Sequence, residues 1–201
     1  MNIAVFCSGN GTNFQAIVDA AKKGQIKANV ALMVCDNPNA YALTRAKNEG
    51  VKTLLVERKK FPGKAAFEEE IIKNLDKAEV ELIVLAGFMR VISPYFVQKY
   101  RNKMLNIHPA LLPSFKGTEG IKDALDYGVK ITGPTVHFVD EKVDHGPIII
   151  QSPVEVKDDD TEESLAERIH IQEHIIYPRA VMLFVEGKLK IEGRKVKIQD
   201  T

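Results

Sequence analysis

The amino-acid sequence predicts an α/β fold with a doubly wound, mostly parallel sheet and a long C-terminal helix. Short apolar runs alternate with segments of helical periodicity from Asn2 to Ile107. The apolar runs lack the strict in-and-out alternation of strands that face water on one side, which favours a sheet covered on both faces. A long stretch of helical composition follows near the C-terminus and completes the pattern.

Each element can be placed in chain order. The apolar runs predict strands at residues 2–7, 30–35, 51–56, 80–86 and 103–107, followed by strands at 135–139 and 148–150. Helical spacing predicts helices at residues 14–21, 40–48, 65–75 and 162–185. Thr161 and Ser164 have the spacing of a capping box at the start of the last helix, with serine where glutamate is usual.

Composition narrows the class of protein further. The 201 residues are 45% hydrophobic and contain no Pro/Gly/Ser-rich linker, which predicts one domain over residues 1–201. The 28 basic and 27 acidic side chains give a net charge of +1, so no global field favours nucleic acid or a membrane. The N-terminus lacks the pattern of a signal peptide, which predicts a cytoplasmic protein. Cys7 and Cys35 end apolar runs and are expected to be buried thiols in a reducing compartment.

The segment from Asn106 to Pro113 carries the clearest functional signal. Asn106 and His108 lie two residues apart at the end of a predicted strand, so their side chains project from the same face. Pro109 stops that strand because it has no N–H for the ladder. An amide donor and an imidazole are therefore expected side by side at a strand end, where open α/β sheets bind their ligands. A plain polar strand terminus is the alternative explanation.

A carboxylate that orients the imidazole would complete this group. Asp140, Glu141 and Asp144 follow the predicted strand 135–139. Asp144 is the preferred choice because the Gly146-Pro147 turn behind it restricts its direction.

A glycine-containing loop, Ser8 to Asn13, follows the first predicted strand and opens the first predicted helix. It has Gly9 and Gly11 but Phe14 at the position of the third glycine of a dinucleotide motif, which disfavours that site. Backbone N–H groups, the helix dipole and the side chains of Thr12 and Asn13 suit a single phosphate group better. An ordinary strand-to-helix turn uses the same residues and is the alternative.

Two other segments each have competing explanations. Residues 85–92 keep exposing apolar groups beyond a strand end, which fits either a flat heteroaromatic ligand or packing of the next helix. His170 and His174 flank Glu173 in the H-x-x-E-H pattern of some zinc peptidases. A third ligand is needed, and Glu186 and Glu192 are the only glutamates after this motif, so we expect no metal site.

These motifs together resemble those of the phosphoribosylglycinamide formyltransferases, the folate-dependent enzymes of purine biosynthesis. The resemblance runs from Met1 to about Leu189 with the family's motif order intact. The motifs that carry it are Ser8 to Asn13, Leu85 to Arg90, Asn106 to Pro109, Val136 to Val139, Asp144, and Gln172 to His174. It implies the formyltransferase fold, with a Rossmann-like N-terminal half.

The resemblance also implies roles for individual residues. Gly11, Thr12 and Asn13 would bind the phosphate of glycinamide ribonucleotide, and Glu173 its ribose. The co-substrate 10-formyltetrahydrofolate would be held by the residues Lys64, Met89, Arg90, Val91, Ile92, Asn106 and Asp140. Lys64 stands where arginine often binds the folate glutamate tail and lacks the bidentate fork. Ala110 and Lys116 replace a common serine and a common proline, so the loop from Ser114 to Gly120 is open to a different conformation.

The expected reaction is direct formyl transfer without a metal. Asn106 would donate to the formyl oxygen, protonated His108 would supply a second donor or a proton, and Asp144 would favour the imidazolium. The expected partners are small-molecule substrates, with no nucleic acid and no membrane, and the oligomeric state stays open. Formyl-folate hydrolysis, formylation of another amine such as a charged tRNA, and a non-catalytic nucleotide-binding module are the alternatives.

Overall fold

The computed structural model describes residues 1–199 and divides into two compact units, with the division after Leu105. Strand β5 crosses this division, since it runs from Met104 to His108. The expectation of one domain over residues 1–201 stays a prediction.

The N-terminal unit is built on parallel strands joined by helices. Its elements are β1 (Asn2–Cys7), α1 (Thr12–Lys22), β2 (Asn29–Cys35), α2 (Tyr41–Glu49), β3 (Thr53–Leu55), α3 (Lys64–Lys77), β4 (Val80–Leu85) and α4 (Pro94–Lys99). The strand order is β4-β1-β2-β3, and all three pairings are parallel. Parallel neighbours require crossover connections, which explains the alternation of strand and helix in the sequence.

The buried strands of this unit explain the continuous apolar runs. From Ile3 to Cys7 every residue of β1 is fully buried, as expected for a strand covered on both faces. Cys7 and Cys35 are register partners at the ends of β1 and β2, and both are free, buried thiols. Burial raises the pKa of both thiols. They therefore behave as small apolar side chains.

The C-terminal unit has a mixed sheet and one long helix. After β5 its elements are α5 (Gly120–Tyr127), β6 (Ile131–Thr132), β7 (Thr135–Phe138), β8 (Ile148–Gln151), β9 (Val154–Glu155), α6 (Glu162–Val185), β10 (Leu189–Glu192) and β11 (Lys195–Ile198). Strand β8 pairs antiparallel with β7 and parallel with β11, which pairs antiparallel with β10. A separate antiparallel ribbon joins β6 and β9.

Helix α6 begins and ends where the sequence predicts. Thr161 Oγ1 accepts a hydrogen bond from the Ser164 amide, and Ser164 Oγ accepts one from the Thr161 amide. Serine therefore closes the capping box in place of glutamate. Leu165 and Ile169 then pack with the apolar side chains of Val154 and Val156.

The predicted α/β class, the mostly parallel pairing and the long C-terminal helix are confirmed. Helices α4 and α5, the ribbon β6-β9 and the hairpin β10-β11 were not predicted. Each is short, and the hairpin places charged side chains at alternate positions, which gives a weak apolar signal. Among residues 1–199, no helix combines the length and apolar character needed to cross a membrane.

Candidate active site

The C-terminal unit brings Asn106, His108 and Asp144 together. Asn106 and His108 lie on β5, and the strand ends at His108 as Pro109 requires. His108 is 3% exposed, and its Nδ1 atom lies 3.4 Å from Asp144 Oδ2. The Nδ2 atom of Asn106 lies 3.4 Å from the other carboxylate oxygen, Oδ1. An amide, an imidazole and a carboxylate therefore share one buried corner of this unit.

The loop between β7 and β8, residues 139–147, delivers Asp144 to this corner. Asp144 adopts the left-handed φ of 46°, and its Oδ2 atom accepts a hydrogen bond of 2.9 Å from the Gly117 amide. A Cβ atom on Gly146 would lie 1.8 Å from the Phe138 carbonyl oxygen, so only glycine permits this close return of the chain. Asp140 is bound elsewhere in the loop, since its Oδ2 atom lies 2.6 Å from His145 Nδ1. This geometry favours Asp144 over Asp140 as the partner of His108.

A second histidine, His137, belongs to the same group, and the sequence reasoning assigned it no role. It is 2% exposed on β7, a strand on which every residue is buried. Its Nδ1 atom lies 2.7 Å from the Phe138 carbonyl oxygen, which can only accept, so Nδ1 carries the proton. The unprotonated Nε2 atom then accepts from Asn106 Nδ2 at 3.1 Å. A histidine between the apolar residues Val136 and Phe138 was the available signal.

Burial governs the protonation of His108. Its Nε2 atom lies 2.7 Å from the Phe115 carbonyl oxygen and therefore donates a proton there, which leaves Nδ1 to face Asp144. Burial lowers the pKa of His108 below its usual value of 6.5, and the charge of Asp144 opposes this only in part. The neutral imidazole is thus the form at neutral pH in the free protein. Asp144 acts to raise the pKa of His108, as expected of a neighbouring carboxylate, but desolvation outweighs this attraction.

Asp144 remains an anion. Burial acts to raise the pKa of its carboxyl group, but other contacts, among them the hydrogen bond from the Gly117 amide, lower it below the ordinary value. A carboxylate that accepts several hydrogen bonds can stay ionised in a buried position. The site therefore contains one fixed negative charge beside two imidazoles.

Thr135 holds the segment that follows His108. Its hydroxyl donates to the Ala110 carbonyl at 2.7 Å and accepts from the Leu112 amide at 3.1 Å. Gln151 adds a hydrogen bond of 3.0 Å to the Leu112 carbonyl. Ala110 is fully buried, whereas Lys116 is exposed next to the glycine that binds Asp144. The backbone of residues 110–112 is thus fixed by side chains from β7 and β8.

Glu173 lies on α6 and is 3% exposed. Its Oε2 atom lies 2.9 Å from Nδ1 of the half-exposed His170, and this hydrogen bond raises the pKa of His170 above its ordinary value. The first histidine of the H-x-x-E-H pattern is therefore paired with the glutamate of the same motif. Residues 1–199 contain no group of three or more His, Cys, Asp or Glu side chains arranged to hold a metal ion.

The glycine loop lies in the N-terminal unit between β1 and α1. Gly11 has a φ of 77°, and a Cβ atom there would lie 2.7 Å from Ala42 Cβ on α2. The first turn of α1 has no acidic residue, and no side chain caps it at Gly11. Arg45 donates from Nε and Nη2 to the backbone and side-chain oxygens of Asn10, each at 2.9 Å. Helix α2 therefore shapes this loop through both packing and hydrogen bonds.

The predicted pterin-binding segment also lies in the N-terminal unit. Met89 and Val91 are 67% and 68% exposed, so Val91 does not pack into the core. The Met89 amide donates to Ser8 Oγ at 2.8 Å, and Ser8 Oγ donates to Asp36 Oδ1 at 2.6 Å. Asp36 also accepts from Arg90 Nε at 2.5 Å. The buried Asp36 carboxylate thus anchors the backbone of a segment whose apolar side chains face outward.

Lys64 stands at the first position of α3 and is exposed. Its Nζ atom lies 4.0 Å from Glu68, a buried carboxylate that also accepts from the Ser93 amide at 2.8 Å. Ile92, just before Ser93, is partly buried. The lysine is therefore loosely tethered and its ammonium group is accessible to solvent.

Comparison with known proteins places these features in a family. The sequence profile described as formyl transferase matches residues 1–181. The phosphoribosylglycinamide formyltransferase of Bacillus subtilis is 47% identical over 178 residues, which cover 89% of this chain and 91% of that protein. The phosphoribosylglycinamide formyltransferase of Escherichia coli is 41% identical over 191 residues, which cover 95% of this chain and 90% of that protein.

Solved structures agree. The crystal structure of glycinamide ribonucleotide transformylase 1 from Symbiobacterium toebii has a TM-score of 0.98 at 46% identity and covers 100% of this chain and 94% of its own. The sequence identity, the coverage and the fold all support membership of the same family. The chain therefore belongs to the formyl transferase family and, within it, to the phosphoribosylglycinamide formyltransferases.

Proposed function

We propose that this protein transfers the formyl group of 10-formyltetrahydrofolate to the amine of 5-phosphoribosylglycinamide in purine biosynthesis, by direct transfer at Asn106, His108 and Asp144. The observation that carries the proposal is the convergence of these three side chains in a chain of this family, with Asp144 3.4 Å from both His108 and Asn106. The two groups on β5 are positioned by strand geometry, and the carboxylate is held by a hydrogen bond from the Gly117 amide.

Asn106 provides the donor for the negative charge that develops on the formyl oxygen. One N–H of its amide is engaged with His137, and the other lies at the long distance of 3.4 Å from Asp144 Oδ1. A bond of that length is weak and is readily exchanged for a developing oxyanion. His137 fixes which end of the amide is the donor. The amide is therefore oriented before the substrate arrives, which is how a hydrogen bond stabilises a transition state most effectively.

His108 moves the proton that the reaction requires. The attacking amine loses one proton as the new C–N bond forms, and the folate nitrogen gains one as its bond to the formyl carbon breaks. Neutral His108 can accept the first proton at Nδ1, since Nε2 is committed to the Phe115 carbonyl. The resulting imidazolium lies beside the Asp144 carboxylate, which stabilises it until the proton passes to the leaving nitrogen.

Binding of the ribonucleotide is assigned to Gly11, Thr12, Asn13 and Glu173. The backbone at Gly11, with Thr12 and Asn13, presents a helix N-terminus free of acidic side chains, which favours a phosphate group. Glu173 is a buried carboxylate that is hydrogen-bonded to His170 and can accept hydrogen bonds from the hydroxyl groups of a ribose. Phosphate and sugar recognition therefore use different chemistry at different elements.

Binding of the folate co-substrate is assigned to seven residues. Met89 and Val91 expose apolar surface on either side of Arg90, whose side chain is bound to Asp36, and this surface suits a flat heteroaromatic ring. The exposed ammonium group of Lys64 suits the carboxylates of a glutamate tail. Asp140 accepts hydrogen bonds from His145 and the Lys142 amide and stays ionised, as its lowered pKa indicates. Ile92 and Asn106 complete the proposed set.

One assay separates the candidate activities. Purified protein is incubated with 10-formyltetrahydrofolate, with and without glycinamide ribonucleotide, and both tetrahydrofolate release and the formylated product are measured. Release that requires the ribonucleotide and equals product formation supports the proposal. Release without the ribonucleotide identifies a hydrolase instead. Ribonucleotide binding in calorimetry without any turnover identifies a non-catalytic module, and turnover only with another amine assigns a different acceptor.

A further inference from the structure

The C-terminal hairpin contacts the loop that carries Asp144. The hairpin, β10 and β11, lies beyond residues 1–181 that the family profile matches. Strand β11 nevertheless pairs with β8 through Lys195 and Ile148. Ile148 is the residue at which the 139–147 loop ends and β8 begins. Arg194, the residue before Lys195, is therefore brought to the end of this loop.

Arg194 binds the loop with a fork of two N–H groups. Its Nη2 atom donates to the His145 carbonyl oxygen at 2.6 Å, and Nη1 lies 3.3 Å from the His145 Nε2 atom. Arginine can only donate, so Nε2 of His145 accepts and the imidazole proton resides on Nδ1. That proton is donated to Asp140 Oδ2 at 2.6 Å. Guanidinium, imidazole and carboxylate thus form one oriented chain of hydrogen bonds.

These contacts constrain the residue next to Asp144. Asp144 adopts a left-handed φ of 46°, a conformation that aspartate tolerates better than most residues and that the contacts of the next residue help to hold. His145 follows immediately, and both its carbonyl and its ring are held. On the other side of the loop, Asp140 Oδ1 accepts from the Lys142 amide at 3.0 Å. The backbone around Asp144 is therefore fixed from both directions.

We propose that Arg194 is a positioning residue for Asp144, and that the C-terminal hairpin acts through it as a clamp on the 139–147 loop. The proposal rests on the function assigned above to Asp144. Arg194 acts through His145 and is not a catalytic residue. An exposed guanidinium contributes little to stability as a simple ion pair. Here, however, its planar fork binds both a backbone atom and a side-chain atom of His145. Lysine at this position would keep the charge and lose that geometry.

The test compares Arg194→Ala and Arg194→Lys with the matched control Lys197→Ala. Lys197 is a basic residue of the same hairpin that pairs with Glu192 within it. In Arg194→Ala we expect kcat for formyl transfer to fall roughly 10- to 100-fold, the scale for a displaced catalytic group. The KM for the ribonucleotide and the melting temperature should stay near those of the parent, as should all parameters of Lys197→Ala. Arg194→Lys should recover only part of the loss.

A second measurement does not depend on activity. Nitrogen NMR of His145 should show the Nδ1–H tautomer in the parent and in Lys197→Ala, and a mixture of tautomers in Arg194→Ala with a shifted Asp144 amide. If Arg194→Ala does not fold, Arg194→Lys is measured in its place by both methods, and His145→Ala, which loses the ring contact and keeps the backbone contact, is measured by kcat alone. Unchanged kcat with an unchanged tautomer overturns the clamp, as does an equal loss in Lys197→Ala. Absence of formyl transfer in the parent overturns the proposed function instead, and the NMR comparison still decides the clamp.

Discussion

His137 holds the amide of Asn106 in one orientation: its Nε2 atom accepts from Asn106 Nδ2 at 3.1 Å, while its Nδ1 atom is bound to the Phe138 carbonyl. The direction of the donor in the proposed active site therefore depends on the tautomer of a buried histidine on the neighbouring strand β7.

The first prediction concerns this histidine. In His137→Phe the ring volume remains but the acceptor is lost, so the Asn106 amide is free to rotate. We expect kcat to fall roughly 10- to 100-fold, with a smaller loss in His137→Gln, which can still accept. Steady-state kinetics on both variants, with thermal melting to establish folding, measure this. Parent-like turnover in folded His137→Phe would show that the amide needs no such support.

The second prediction concerns Asn106 directly. Asn106→Ala removes the donor proposed for the formyl oxygen and should lower kcat by roughly 10²- to 10³-fold, the usual loss for one such donor. Because Asn106 is only half-buried, the variant is expected to fold. Combining it with His137→Phe should add little further loss, since His137 acts through the amide. Full additivity of the two losses would contradict that dependence.

The third prediction concerns pH. Burial lowers the pKa of His108 below 6.5, and Asp144 is the main group that opposes the shift. If neutral His108 accepts the proton, kcat/KM should fall as pH decreases through this lowered pKa. Asp144→Asn removes the opposing charge, so the acid limb should move to lower pH while kcat decreases. The profile reports the coupled pair rather than one residue.

NMR titration of the His108 ring in both proteins provides the control for that profile. Its midpoint should lie below 6.5 in the parent and lower still in Asp144→Asn. An alkaline limb in place of the acid one would instead identify protonated His108 as the working form.

The fourth prediction uses two glycines of the same loop. Gly11 has a φ of 77° and a Cβ atom there would meet Ala42 Cβ at 2.7 Å, whereas a Cβ on Gly9 would meet nothing within 4 Å. Gly11→Ala should lower the free energy of unfolding by about 1–3 kcal/mol and raise the KM for the ribonucleotide. Gly9→Ala is the matched control and should change the free energy of unfolding far less. Equal effects of the two changes on denaturant unfolding would argue against the packing explanation.

Much of this architecture could be predicted because it rests on continuous apolar runs and on turn chemistry. The start of α6 followed from Thr161 and Ser164, and Asp144 could be preferred because of the Gly146-Pro147 turn. Phe14 is fully buried against the sheet, in keeping with the argument against a third glycine.

The rest could not be predicted for physical reasons. The sequence does not show that His137 contacts Asn106, so it gives no reason to separate this residue from the other members of its strand. The pKa of His108 depends on burial, which the sequence does not provide. The contact between Arg194 and His145 spans 49 residues and carries no local pattern. Hydrophobic periodicity indicates local secondary structure and does not indicate long-range contacts between single polar side chains.

The left-handed backbone at Asp144 also restricts which sequences can reach this site. Among the residues that tolerate that conformation most readily are Gly, Asn and Asp, and only Asp carries a charge. In a library of all twenty residues at this position, most members should therefore lose about 1–2 kcal/mol of stability for a reason unrelated to the reaction. Two separate requirements therefore act on this position: the loop requires a residue that tolerates a left-handed backbone, and the reaction requires a negative charge. Asp144→Asn separates the two requirements, because asparagine tolerates the left-handed backbone but carries no charge.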